Sequence, residues 1–139
     1  VGAIPNDTAL VGVMAASNEI GVIQPLAESG ELAHRAGARF HVDAAQAVGK
    51  NPIDVNAMQV DLLALTGHKM YGPKGCGALF VRRHTPLEPL IVGGGQERGI
   101  RSGTPNVPGI VAFGRACAMA QAPDRADTAN RCRRGALRA

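Results

Sequence analysis

Tryptophan is absent from this 139-residue chain, and Phe40, Tyr71, Phe80 and Phe113 are its only aromatic residues. A core with so few rings must be aliphatic and rich in alanine, and a hydrophobic content of 45% supplies enough of both. Long apolar runs are missing too. No stretch approaches the roughly 18 residues of a membrane-spanning helix, so no membrane partner is expected. The opening residues, VGAIPNDTAL, have neither a basic leader nor a cleavage region, so no signal peptide is expected. Cysteine is scarce: Cys76, Cys117 and Cys132 fit neither a disulfide framework nor a zinc spacing, and a reducing cytoplasmic setting is expected by default. Charge of one sign is lacking over most of the chain. Residues 1–122 carry ten Lys/Arg and nine Asp/Glu, whereas 123–139 carry five Arg and two Asp. The net charge of +4 is thus mostly a property of the tail. Without aromatics interleaved among basic residues, nucleic-acid binding is not expected.

What is present reads as strands alternating with helices. ALVGVMAAS (9–17), RFHVDA (39–44), DLLALTG (61–67) and GALFVRR (77–83) have the length and apolar content of strands. PLAESGELAHRAG (25–37) carries helix punctuation, with Pro25 suited to the first turn and Gly37 to the residue past the end. Glu28 and Glu31 lie early and His34 and Arg35 late, as the helix dipole favours. Leu26, Gly30, Ala33 and Gly37 form a small-residue face suited to packing on a sheet. A second helix is expected within 104–122, entered past Pro105 and Pro108. The expected fold is α/β: a mostly parallel sheet with helices on both faces, spanning residues 1–122. Residues 123–139 form a polar, Arg-rich tail outside that core.

Three polar sets close apolar runs: Ser17-Asn18-Glu19, His41-x-Asp43 with Gln46, and Thr66-Gly67-His68-Lys69. Parallel neighbouring strands would bring all three to one rim, where ligands of open α/β sheets bind. A lysine there can bond covalently to a carbonyl cofactor. Pyridoxal phosphate would also need a carboxylate at its ring nitrogen and polar donors for its phosphate and phenolic oxygen. Each residue has a plainer role available. Lys69 could be a solvated loop residue, Asp43 a helix cap, and His41 with Asp43 a metal pair lacking a third ligand. His34 and His84 read as surface residues. GPKGCG and VGGGQERG match no nucleotide-binding pattern.

Together the motifs say more. SNEIGVIQPL, FHVDAAQAVGK, LTGHKMYGPKGCGALFVRR and GGGQERGIRSGTPNVPGIVAFG resemble, in order and spacing, the cysteine desulfurases of the NifS/IscS-like branch. These belong to the class V aminotransferase group of fold-type I pyridoxal-phosphate enzymes. The resemblance, from about Asp7 to about Ala122, implies that Lys69 bonds the cofactor and moves protons. It implies that Asp43 pairs with the pyridinium nitrogen, Gln46 with the phenolic oxygen, and Asn18 orients cofactor and substrate nearby. Thr66 and His68 would bind the phosphate, and Thr104 the phosphate of a neighbouring subunit in a homodimer. Gly72, Gly75 and Gly77 would let the backbone turn beside the cofactor.

The implied reaction turns L-cysteine into L-alanine and passes sulfur to a protein acceptor or iron–sulfur scaffold. The alternatives left open are another class V activity (a selenocysteine lyase or an aminotransferase) and a catalytically inactive truncated chain. By the same resemblance the chain is the middle of a large domain. The family's upstream phosphate loop and stacking His have no counterpart here, nor do its downstream nucleophilic Cys and substrate-binding Arg. Cys76 lies in the glycine turn, Cys117 on an apolar helix, and Cys132 among arginines unlike the family's Cys loop. Val92 stands where many relatives have His.

Overall fold

A computed structural model of the chain describes residues 4–121; the tail 123–139 and Cys132 lie outside the described residues. Its elements run β1 (Leu10–Met14), α1 (Leu26–Arg35), β2 (Arg39–Asp43), β3 (Leu62–Thr66), a single 3₁₀ turn (Gly67–Met70), β4 (Gly77–Val81), a second 3₁₀ turn (Gln96–Gly99) and α2 (Val107–Ala120). The sheet order is β1-β2-β3-β4. The first three strands are parallel and β4 is antiparallel to β3. That is the mostly parallel sheet expected. The single antiparallel pair follows from its short connection, because residues 71–76 can reverse the chain but cannot cross back for a parallel strand.

The two faces of the sheet do different work. Val13, Val42, Leu63 and Phe80 are in register across all four strands, and Val11 pairs with Phe40 beside them. This face lies under α1 and holds the core, where Ala15, Ala33, Ala44 and Ala47 join Leu26, Phe40, Val42, Val60 and Leu63. Full burial of a side chain such as Phe40 contributes roughly 1.5–3 kcal/mol. The helix approaches closely because its packing residue is Gly30. A Cβ there would sit 2.4 Å from the Met58 carbonyl oxygen and 3.1 Å from the Phe40 ring. Leu26, Gly30 and Ala33 are the buried stripe expected, whereas Gly37 is exposed and serves the chain reversal after α1 with φ +76. Pro25 sits at the N-cap, one residue ahead of the helical turn it was expected to begin.

The opposite face carries Met14, Asp43, Ala64 and Leu79 in one register row, and Gly12, His41, Leu62 and Val81 in the next. Leu10, Met14 and Leu79 on it are exposed. Among the described residues α2 is placed elsewhere, packed along the 3₁₀ turn that follows β3.

At the amino end of the sheet lies a polar knot. Asp61 is 2% exposed. Its Oδ2 accepts the Phe40 backbone N–H at 2.8 Å and meets His34 Nε2 at 2.7 Å, while Arg39 stands 3.8 Å from Oδ1. His34, expected at the surface, is instead pinned between Asp61 and the Gln59 side chain, because α1 ends directly above the start of β3.

Candidate active site

The site is built where the three parallel strands end. Asn18 lies in the turn after β1, held by the Gly21 N–H donating to the Ser17 carbonyl and the Glu19 N–H to Ser17 Oγ. Asp43 is the last residue of β2, with Gln46 in the turn beyond it. Thr66 ends β3, and His68 and Lys69 occupy the single 3₁₀ turn that follows directly. Because β2 and β3 are parallel neighbours, with Asp43 paired to Ala64, the carboxylate and the amine share one rim. Adjacent strands stand about 4.8 Å apart. Asp43 and Thr66 lie on the same face of the sheet, the one α1 leaves free. Lys69 is half-buried and His68 exposed.

Local chemistry holds each group. Asp43 Oδ1 accepts the Ala45 N–H at 3.0 Å. This is a turn cap rather than a helix cap, since 45–50 form turns. Thr66 Oγ1 stands 2.9 Å from His68 Nδ1. With the hydroxyl donating to Nδ1, the imidazole carries its proton on Nε2, the nitrogen turned away from Thr66. Thr104 is exposed in the segment before α2, and no hydrogen bond among the described residues joins it to the other six.

The glycines after Lys69 have a more local purpose than expected. Gly75 supplies the left-handed turn residue, φ +77. Gly72 and Gly77 are needed for close approach to the chain's own backbone. A Cβ at Gly72 would meet the Gly67 carbonyl at 2.9 Å and Ala116 of α2 at 3.0 Å; one at Gly77 would meet the Leu65 carbonyl at 2.6 Å. Tyr71 ends the 3₁₀ turn in the left-handed region (φ 62), with its ring almost fully exposed.

Sequence reasoning missed the support behind this turn. Asn106 caps α2 by accepting the Gly109 N–H, and its Nδ2 donates to Cys76 Sγ at 3.7 Å. Cys76 is therefore packed between the glycine turn and the start of α2. The signal available was an Asn ahead of a Pro-containing helix start, a common cap arrangement.

The donor set suits an aldehyde-bearing, phosphorylated pyridine: one primary amine, one carboxylate a strand away, and a hydroxyl–imidazole pair flanking the amine. Among the described residues no group of three or more His, Cys, Asp or Glu could hold a metal, so His41 and Asp43 remain a pair without a third ligand. No helix of the described residues is long and apolar enough to cross a membrane.

Comparison with known proteins agrees with this chemistry. Residues 2–135 match the family model of the class-V aminotransferases. The mitochondrial cysteine desulfurase of Arthroderma benhamiae is 57% identical over 121 residues, which cover 86% of this chain and 24% of that protein. Cysteine desulfurase IscS of Methanosarcina thermophila is 53% identical over 120 residues, covering 86% of this chain and 30% of that protein. Among solved structures, SspA in complex with cysteine superposes with a TM-score of 0.80 at 47% identity, over 84% of this chain and 34% of that one. A NifS-like protein from Rickettsia africae gives 0.78 at 41% identity, over 81% and 31%. The chain thus spans only 24–30% of the length of these curated relatives. With nearly the whole chain matched by the family model and a fold shared with NifS-like structures, this chain belongs to the class-V aminotransferases, a pyridoxal-phosphate-dependent family of fold type I.

Proposed function

We propose that the chain is the central part of a cysteine desulfurase, which converts L-cysteine and an acceptor thiol into L-alanine and a persulfide. The observation that supports this most is the meeting of Asp43, Thr66, His68 and Lys69 on one rim, in a chain 53–58% identical to named cysteine desulfurases. Pyridoxal phosphate bound there supplies an aldehyde for amines and a protonated ring that accepts an electron pair from the substrate. Lys69 Nζ would hold that aldehyde and, as the free amine, carry protons to and from the substrate carbons. Asp43, whose Oδ1 accepts the Ala45 N–H, would pair with the ring nitrogen and keep it protonated. Gln46 would donate to the phenolic oxygen, with Asn18 orienting cofactor and substrate beside it. Thr66 and His68 would bind the phosphate together, His68 through Nε2–H and Thr66 by donating to Nδ1 and so fixing the ring, and Thr104 would reach the phosphate of a second subunit in a homodimer.

The sulfur passes to a thiol outside the described residues and from there to an acceptor or iron–sulfur scaffold protein. Cys76 is an unsuitable acceptor, because its sulfur is engaged by Asn106 and crowded by Gly109, where a Cβ would lie 2.4 Å away. The cytoplasm is the compartment proposed, supported by free Cys76 and Cys117.

Incubating the protein with pyridoxal phosphate, L-cysteine and a reductant tests the proposal. Alanine and sulfide in equal amounts are expected. Amino transfer to a keto acid, or activity confined to selenocysteine, would replace the desulfurase with another class V activity. Cofactor bound without any alanine would overturn the proposal.

A further inference from the structure

Resting on the cofactor reading above, we infer that Phe113 of α2 is a positioning residue for Lys69, acting through Gly67. Three contacts fix Gly67. Its N–H donates to the Cys76 carbonyl at 2.9 Å, and its carbonyl accepts the Gly72 N–H at 2.9 Å. The third is steric: a Cβ at Gly67 would lie 2.9 Å from Phe113 Cδ2, so the ring rests directly on the α-carbon. Phe113 is buried although most of the α2 surface is exposed, with Val107, Ile110 and Val111 facing away from the turn. One turn further along, Ala116 fills the space against Gly72. The helix therefore grips the start of the four-residue 3₁₀ turn at Gly67 and the backbone two residues past its end at Gly72, and Lys69 stands between the two grips.

Such a short turn has little stiffness of its own, because its hydrogen bonds are poorly aligned. A ring pressed on Gly67 and a methyl pressed on Gly72 supply the rigidity instead. Removing the ring opens space behind Gly67, the turn relaxes into it, and the Lys69 amine loses its aim toward the rim. Displacements of about 1 Å are enough to lower the rate of a positioned reaction by as much as a hundredfold.

The chain has three lysines, Lys50, Lys69 and Lys74, which makes the test internally controlled. The full chain is mixed with pyridoxal phosphate and reduced with borohydride, and the modified lysines are mapped by peptide mass. In the unaltered chain Lys69 is expected to be modified at least about tenfold faster than Lys50 or Lys74. Phe113→Ala should lower the Lys69 rate about tenfold while leaving the other two unchanged, and Phe113→Leu should restore it. A general loss of structure gives a different pattern, with all three lysines modified alike. Should Phe113→Ala give that pattern, Gly67→Ala decides the matter by pushing the turn off the same ring, with the same selective drop expected. Selective modification of Lys69 that persists in the folded Phe113→Ala or Gly67→Ala chain would overturn the role of Phe113 alone. No preference for Lys69 in the unaltered chain would overturn the cofactor reading with it.

Discussion

Lys69→Ala should abolish the visible absorbance that pyridoxal phosphate acquires on bonding to this chain, whereas Lys50→Ala and Lys74→Ala should leave it intact. The expectation rests on placement. Lys50 and Lys74 are exposed turn residues, while Lys69 is half-buried in the turn at the carboxyl end of β3. Among the described residues, only this amine stands one strand away from a carboxylate on the same rim. An exposed amine, with no second contact to hold the cofactor, bonds an aldehyde reversibly and weakly. Next to the Thr66–His68 pair, the cofactor's phosphate adds a second anchor and the bond persists. A spectral titration with each single variant checks the prediction. Equal loss on Lys74→Ala would contradict it.

Asp61→Ala should destabilise the fold by about 3 kcal/mol, in the range seen when one partner of a buried ion pair is removed. The carboxylate is the shared acceptor for the Phe40 N–H, His34 and Arg39, so its loss leaves a buried donor unpaired and frees the end of α1. Burial by itself pushes the Asp61 carboxyl up, but the His34 hydrogen bond, the Phe40 N–H and the charges of His34 and Arg39 together outweigh it. Its pKa is held below the ordinary 3.8. A depressed folded pKa means that the unfolded chain binds the proton more readily. The stabilisation is therefore complete above the unfolded value of about 3.9 and is lost as pH falls through the lower folded value. Urea unfolding from pH 3 to pH 7 should show stability rising with pH through this acid window. In Asp61→Asn that limb should flatten. An unchanged limb would mean the knot contributes nothing.

Much of the architecture was readable from local patterns. β2 and β3 were plain because RFHVDA and DLLALTG are short, apolar and bounded by turn residues, and α1 because its Glu-early, Arg-late order matches the dipole. Each strand is shorter than the apolar run that announced it: Ala9 to Ser17 yields Leu10–Met14, since Ala15 still donates to Asp43 but turns its carbonyl to Gln24, and Ala16 bridges to Ile23 instead of β2. The rim itself was readable because polar groups follow apolar runs at strand ends. Pairings across the fold were not. Nothing near His34 in sequence reveals that Asp61 will stand beneath it, 27 residues on. Phe113 looked like one more apolar residue of a helix, and only tertiary packing selects it to face Gly67 while Val111 faces out. The glycines at 72 and 77 signalled a crowded turn correctly, but the crowding comes from the chain's own carbonyls.

The central claim is that the amine at the end of β3 and the carboxylate at the end of β2 bracket one heterocycle. A diffraction structure of the protein grown with pyridoxal phosphate measures this directly. It should show Lys69 Nζ bonded to the aldehyde carbon and an Asp43 oxygen about 2.8 Å from the ring nitrogen. A cofactor bound elsewhere, or seated with its ring nitrogen turned from Asp43, would contradict the account.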